Sequence, residues 1–187
     1  MFEVGAGNQL VGVSAWSDYP RAVLELPEVG DAFTVDQEQL RLLQPDLVLV
    51  WASGMPVHTV DDLRQRGYRV ESVTTRNLAD VAAAMRRVGE LTGHAEGGET
   101  AAARFEAVLD ELRQAHADDE PISVFFQISA RPLYTINREH FISEIIAVCG
   151  GQSIFDAVSY THLTLPTMST TWCSGGAGGG GSGGGGG

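Results

Sequence analysis

The sequence contains no lysine, and its 12 basic residues, all arginine, stand against 24 aspartates and glutamates. The formal net charge is therefore -12 at pH 7. Nucleic acids and anionic membrane surfaces both attract clusters of basic side chains. The charge balance argues against either of them as a partner.

Other functional signals are also missing. No run of about 18 apolar residues predicts a membrane span, and Met1–Gly5 lacks the basic and apolar regions of a signal peptide. The five histidines are dispersed and show no metal-ligand spacing. No nucleophile elbow and no Ser/His/Asp arrangement is present, so no catalytic residue and no metal ligand is predicted. The glycines at 5, 7 and 12 do not have the spacing of a dinucleotide-binding loop, and the first two precede a strand, whereas such a loop follows one.

Charge is absent from the last segment of the chain, residues 159–187, which holds no Asp, Glu, Lys or Arg. Glycine makes up 11 of the 13 residues from 175 to 187, and such a stretch cannot build a core. Residues 159–167, Ser-Tyr-Thr-His-Leu-Thr-Leu-Pro-Thr, resemble a peptide translated from sequencing-adapter DNA. We expect residues 159–187 to be a disordered, non-native tail without function. The alternative is a natural flexible linker.

Strand and helix patterns alternate through the first half of the chain. Apolar runs predict strands at 10–15, 46–51 and 68–73, and helical spacing predicts helices at 35–43, 59–66 and 78–91. Asp36 and Asn77 are candidate N-caps of the first and third helices. An alternating order of this kind is typical of a parallel sheet covered by helices.

A long helical pattern over residues 95–117 separates this half from a second unit. The second unit shows one strand, at 122–128, and one helix, at 141–149. Because a single strand cannot form a sheet, we expect the chain to be a fragment. It divides into an N-terminal α/β lobe (1–94, first strand missing), a connecting helix (95–118), the start of a C-terminal α/β lobe (119–158) and the tail.

Two of the predicted strands run into a tryptophan. Trp16 follows residues 10–15, and Trp51 follows residues 45–50. Ligands of such sheets bind beyond the carboxyl ends of the strands. Two flat aromatic side chains at that edge indicate a large, mostly apolar ligand. The alternative is that both tryptophans are ordinary core residues.

Several short motifs resemble those of the periplasmic cobalamin-binding proteins of ABC importers. The resemblance extends to the wider class that also takes up haem and ferric siderophores. The motifs are Gly5–Val13, Trp16-Ser-Asp-Tyr-Pro20, Gln44–Val48, Val124–Gln127 and Cys149-Gly-Gly-Gln152. The resemblance implies a class III periplasmic binding protein fold, with two Rossmann-like α/β lobes joined by one long helix.

The same resemblance implies roles for individual residues. Aromatic side chains of both lobes line the corrinoid site, and the matching candidates are Trp16, Trp51, Phe33, Tyr19 and Tyr134. Asp18 is a further ligand candidate, although an Asp at this place more often forms a turn. Glu38 matches a glutamate that docks onto permease arginines, the alternative being a solvated charge. Cys149 matches a cysteine that can form a disulfide.

The function implied is that of an extracytoplasmic solute-binding protein, not an enzyme. It captures cobalamin or a related corrinoid as cargo, with no resident cofactor, and delivers it as a monomer to an ABC transporter permease. The location implied is periplasmic, or extracellular and membrane-anchored. Two alternatives stay open at this point: a haem or ferric-siderophore binding protein of the same class, and a cytosolic α/β nucleotide-binding domain or enzyme.

Overall fold

The computed structural model describes residues 1–31, 33–52, 54–130, 133–136 and 140–154. The first half contains α1 (Gln37–Leu43), β1 (Val48–Trp51), α2 (Val57–Gln65), β2 (Val70–Val73) and α3 (Leu78–Leu91). Strands β1 and β2 pair in parallel, from Val48 opposite Val70 to Trp51 opposite Val73. The predicted alternation of strands and helices is therefore confirmed.

Both faces of the β1–β2 sheet are covered. On one face Val50 and Val70 pack with Leu40, Val60 and Leu63 of α1 and α2. On the other face partly buried Leu49 and Val73 pack against a cluster that holds Val4, Ala6, Val88 and Ala101. Successive side chains of a strand point to opposite faces, so an unbroken apolar run at residues 47–50 supplies both layers.

The strand predicted at residues 10–15 is only partly formed. Val13 makes an isolated parallel bridge with Glu28, and the N–H groups of Val13 and Ala15 donate to the carbonyls of Pro27 and Gly30 at 3.0 and 2.7 Å. The pairing stays short because Pro27 has no N–H to donate in return. Two 3-10 helices flank it, at Gly7–Gln9 and Arg21–Glu25.

Helix starts follow the capping residues predicted from sequence. Asp36 accepts a hydrogen bond from the N–H of Gln39, and Asn77 accepts one from the N–H of Asp80. Each cap satisfies an N–H group that has no partner inside its helix.

Helix α4 (Ala95–Ala115) is 21 residues long, which corresponds to about 32 Å. It packs against α3 at a glycine pair, where a Cβ on Gly89 would lie 2.8 Å from the Cα of Gly98. Arg86 of α3 forms ion pairs with two glutamates of α4. Its Nε lies 2.8 Å from Oε2 of Glu99, and its Nη1 lies 2.8 Å from Oε1 of Glu106. The close approach and the ion pairs together fix α4 along α3.

The second half differs from its prediction. It contains β3 (Ile122–Val124), β4 (Gln127–Ala130), β5 (Leu133–Thr135), α5 (Phe141–Val148) and β6 (Gly151–Ser153). The single strand expected at 122–128 is broken into β3 and β4, and the expectation of a strand without partners is wrong. β3 pairs in parallel with β6, and β4 pairs antiparallel with β5. The backbone of Gly150, with a φ of 75°, turns the chain from α5 directly back into β6.

A side-chain hydrogen bond links the second half to the first. Oε2 of Glu144 on α5 accepts from the N–H of Leu78, at the first residue of α3, at 2.7 Å.

The proposed division into lobes at 94 and 118 stays a prediction. The tail at 159–187 lies outside the described residues. Among the described residues, none of the helices combines the length and apolar character that a membrane crossing requires.

Candidate functional site

Trp51 is held in a defined orientation at the carboxyl end of β1. Its indole N–H donates to Oγ1 of Thr75, beyond the end of β2, at 2.9 Å. Gly54 lies under the ring, and a Cβ at that position would collide with the indole. Even so, 56% of Trp51 is exposed. An indole fixed at one edge and open to solvent offers a ready stacking surface.

Trp16 is the most exposed large hydrophobic residue among those described, at 92%. Its φ is 73°, in the left-handed region that bulky residues rarely adopt. Two hydrogen bonds between Ser14 and Ser17 hold the turn around it. The N–H of Ser17 donates to the carbonyl of Ser14 at 3.2 Å, and the two hydroxyl oxygens lie 3.1 Å apart. A strained, exposed aromatic residue is typical of a functional position.

Phe33 is carried by a tight turn next to the Trp16 segment. Oδ1 of Asp31 accepts from the N–H groups of Phe33 and Thr34 at 2.8 and 2.7 Å. These hydrogen bonds hold the pKa of the Asp31 carboxyl below its ordinary value. The N–H of Ala15 donates to the carbonyl of Gly30 at 2.7 Å. Trp16 and Phe33 therefore follow neighbouring backbone segments. Phe33 is 77% exposed.

Tyr19 and Asp18 extend the loop that follows Trp16. Tyr19 is 83% exposed and precedes Pro20 through a cis peptide bond. Asp18 is exposed, and its carboxylate makes no hydrogen bond within the described part of the chain. The turn preference of Asp18 is therefore not what shapes this loop, since Ser14 and Ser17 hold the turn. Its ligand role stays a prediction.

The remaining predicted residues belong to other elements of the chain. Tyr134 follows Arg131 and Pro132, a sequence that predicts a loop. The backbone of Tyr134 instead belongs to β5, because residues 133–135 pair with β4 to form a hairpin. Its side chain lies outside the described part of the structure. Glu38 is exposed in the first turn of α1. Cys149 is a free, exposed cysteine at the end of α5. The roles of these three residues stay predictions.

Sequence reasoning missed Thr75 and Gly54, which position Trp51. Thr75 carries no local signal, since it lies 24 residues from Trp51 in the sequence. Gly54 is close to Trp51 in the sequence, but a glycine at this place predicts only a turn. Among the described residues, no group of three His, Cys, Asp or Glu side chains could hold a metal ion. The described side chains around Trp16 and Trp51 offer aromatic surfaces and hydroxyl groups, which suit the binding of a ligand.

Comparison with known proteins gives one consistent result. The profile of a family described as periplasmic binding protein matches residues 1–163. The vitamin B12-binding protein of Vibrio cholerae is 35% identical over 154 residues, which are 82% of this chain and 56% of that protein. The protein of the same description from Pectobacterium atrosepticum is 32% identical over 161 residues, 82% of this chain and 57% of the relative. The chain therefore spans a little more than half the length of these relatives.

Solved structures show the same similarity. The periplasmic vitamin B12 binding protein BtuF of Vibrio cholerae superposes with a TM-score of 0.76 at 32% identity, covering 89% of this chain and 65% of that chain. The periplasmic haem binding protein HutB of Vibrio cholerae also reaches 0.76, at 20% identity, covering 88% and 65%. At that lower identity the second match concerns the fold alone.

Proposed function

Because the chain belongs to the periplasmic binding protein family, we propose that it takes part in the capture of cobalamin or a related corrinoid for an ABC transporter. The observation that carries this proposal is the pair of exposed tryptophans, Trp16 and Trp51, each of which follows an apolar segment. The family is one of binding proteins, not of enzymes. The vitamin B12-binding relatives at 30–35% identity support a corrinoid as the ligand.

The two indoles suit a broad, rigid and largely apolar ligand. A tryptophan of the core would be buried, whereas Trp16 is almost fully exposed and Trp51 is more than half exposed. Stacking on the ligand would remove this apolar surface from water. A corrinoid also carries amide side chains at its rim, for which hydroxyl groups such as those of Ser14 and Ser17 are suitable partners. The cobalt already has its ligands, so the protein needs no metal-binding residue.

We place Tyr134 opposite the tryptophans in this proposal. It belongs to β5, in the half of the chain that follows α4, and so to the predicted second lobe. The ligand would be bound between the lobes, with α4 as the connection. Because this chain spans little more than half of its relatives, we expect it to bind the ligand more weakly than a protein with two complete lobes.

Delivery would require contact with the membrane permease. Glu38 is exposed at the start of α1 and makes no ion pair within the described residues. A free carboxylate can approach an arginine of the permease, and such complementary charge mainly speeds and orients association. We propose Glu38 as one docking residue. The periplasm, or the outer face of the membrane, is the location where such a protein acts.

Titration calorimetry with cyanocobalamin and, separately, with haem tests the proposed function. We expect cyanocobalamin to bind and haem not to bind. Trp51→Ala should raise the Kd by about 30-fold, because one face of the indole, on the order of 80 Å² at 25 cal/mol per Å², contributes roughly 2 kcal/mol. Leu42→Ala is the matched control, since Leu42 is 72% exposed on α1 and its loss should leave the affinity unchanged.

Two results would contradict the proposal. Binding of haem without binding of cyanocobalamin would replace the corrinoid with a haem ligand. An unchanged affinity in the Trp51→Ala variant would show that the ligand does not stack on this indole.

A further inference from the structure

The indole of Trp51 is anchored by a residue outside its own strand. Its N–H donates to Oγ1 of Thr75 at 2.9 Å. Thr75 lies in the connection between β2 and α3, which consists of residues 74–77. Because a hydrogen bond of this length requires both partners in place, the orientation of the indole depends on where this connection runs.

The start of the connection is fixed by the β1–β2 sheet. Val73 is the last residue of β2 and lies opposite Trp51 in the parallel register. Its carbonyl accepts from the N–H of Ala52 at 2.9 Å. Thr75 follows two residues later, and each residue has two rotatable backbone dihedrals. The sheet therefore sets where the connection begins, but not the direction in which it leaves.

The end of the connection is tied to the first turn of α3. Oδ1 of Asn77 accepts from the N–H of Asp80 at 2.7 Å, and Oδ2 of Asp80 accepts from the N–H of Arg76 at 2.9 Å. Both acceptors belong to the connection or to α3 itself. These hydrogen bonds join the connection to the helix, and they would move with the helix if its start shifted.

Glu144 supplies a contact from elsewhere in the chain. The N–H of Leu78 belongs to the first turn of a helix, where backbone donors have no partner inside the helix. It donates to Oε2 of Glu144 at 2.7 Å, across 66 positions of the sequence. Leu78 is buried, and a carboxylate at a helix N-terminus is favoured by the helix dipole. Glu144 therefore fixes the start of α3 relative to α5.

We infer that Glu144 is a positioning residue for Trp51. Its carboxylate holds Leu78, which lies three residues after Thr75, the anchor of the indole. Three residues of extended chain span at most about 10 Å, so the connection has little slack to absorb a shift of α3. The half of the chain that contains Tyr134 thereby sets the orientation of an indole in the other half; the consequence for ligand binding rests on the proposed function.

Exchange of the Trp51 indole N–H with solvent tests this inference on the full chain, without a ligand. The chain has three tryptophans, and Trp51→Phe identifies the signal of Trp51 in an NMR spectrum. Thr75→Val removes the acceptor and keeps the shape of the side chain, so it should speed the exchange about three- to tenfold. Thr75→Ser keeps the hydroxyl group and should restore the slow exchange.

Glu144→Ala should speed the same exchange at least about twofold, because the connection loses its fixed end. Glu144→Gln keeps an acceptor oxygen and should restore the slow exchange. Glu144→Asp keeps the charge but is one methylene too short, and it should behave as Glu144→Ala does. Combined with Thr75→Val, Glu144→Ala should add nothing further, because both changes act through one hydrogen bond.

Asp36→Ala is the matched control for a general loss of stability. Asp36 caps α1 by accepting from the N–H of Gln39 at 2.9 Å, so its removal costs a helix cap in another part of the chain. It should leave the indole exchange unchanged. The inference is overturned if Glu144→Ala changes the exchange no more than Asp36→Ala does. An unchanged exchange in Thr75→Val overturns it as well, since the link to the indole would be missing.

Titration calorimetry with cyanocobalamin separates this inference from the proposed function. Glu144→Ala should raise the Kd at least about twofold, because the stacking surface is less well organised before binding. If the parent chain binds no cyanocobalamin, the proposed function fails, while the indole exchange still decides the role of Glu144. A raised Kd in Glu144→Ala without faster indole exchange would overturn the role of Glu144 and leave the proposed function standing.

Discussion

The left-handed backbone of Trp16 allows its role in folding to be separated from its role in binding. Trp16→Ala and Trp16→Gly both remove the indole, but only glycine relieves the strain of a φ of 73°. That strain is roughly 1–2 kcal/mol for an L-residue, and glycine loses about 0.5–1 kcal/mol more conformational entropy on folding. We therefore expect Trp16→Gly to unfold with a free energy about 0.5–1 kcal/mol higher than that of Trp16→Ala.

The indole itself should contribute little to folding, because 92% of Trp16 is exposed. Stacking of one indole face would bury on the order of 100 Å², which at 25 cal/mol per Å² is about 2.5 kcal/mol, or roughly 70-fold in Kd. Both variants should lose this contribution equally. Trp16→Gly would then combine the higher stability with the same weakened binding of cyanocobalamin.

Urea unfolding followed by circular dichroism measures the stability difference, and titration calorimetry measures the Kd. Equal stability of the Gly and Ala variants would refute the argument from backbone strain. An affinity equal to that of the parent chain in either variant would show that Trp16 lies outside the ligand site. The two results are independent, so each part of the reasoning can fail alone.

Two further predictions concern other residues. Glu144→Ala should lower the free energy of unfolding by about 1–2 kcal/mol, because the partly buried N–H of Leu78 loses its acceptor. Glu144→Gln is the control, since it keeps an acceptor oxygen. An equal loss of stability in both variants would contradict the role of the hydrogen bond. The pKa of the Asp31 carboxyl should lie below 3.8 in an NMR titration, because two backbone N–H groups donate to it. The ionised Asp31 carboxyl should stabilise the fold above pH 3.8, and this stabilisation should be lost as the pH falls through the lowered pKa of the folded state. A pKa of Asp31 at or above 3.8 would contradict the turn geometry.

The first half of the chain was predictable because its signals are local. An N-cap and a continuous apolar stripe gave α3 its observed limits, 78–91, and the apolar run at 46–51 gave β1 and the layer on each of its faces. The α/β fold of the periplasmic binding proteins, implied by short motifs, is confirmed by the match at 32% identity.

The second half was less predictable because its strands are short and weakly apolar. β6 consists of Gly-Gln-Ser, a sequence with no strand signal, and only the turn at Gly150 returns it to β3. The same limit applies to the site. Trp16 and Trp51 could be found from their places after apolar runs, whereas Thr75 and the left-handed backbone of Trp16 result from contacts that no local pattern encodes.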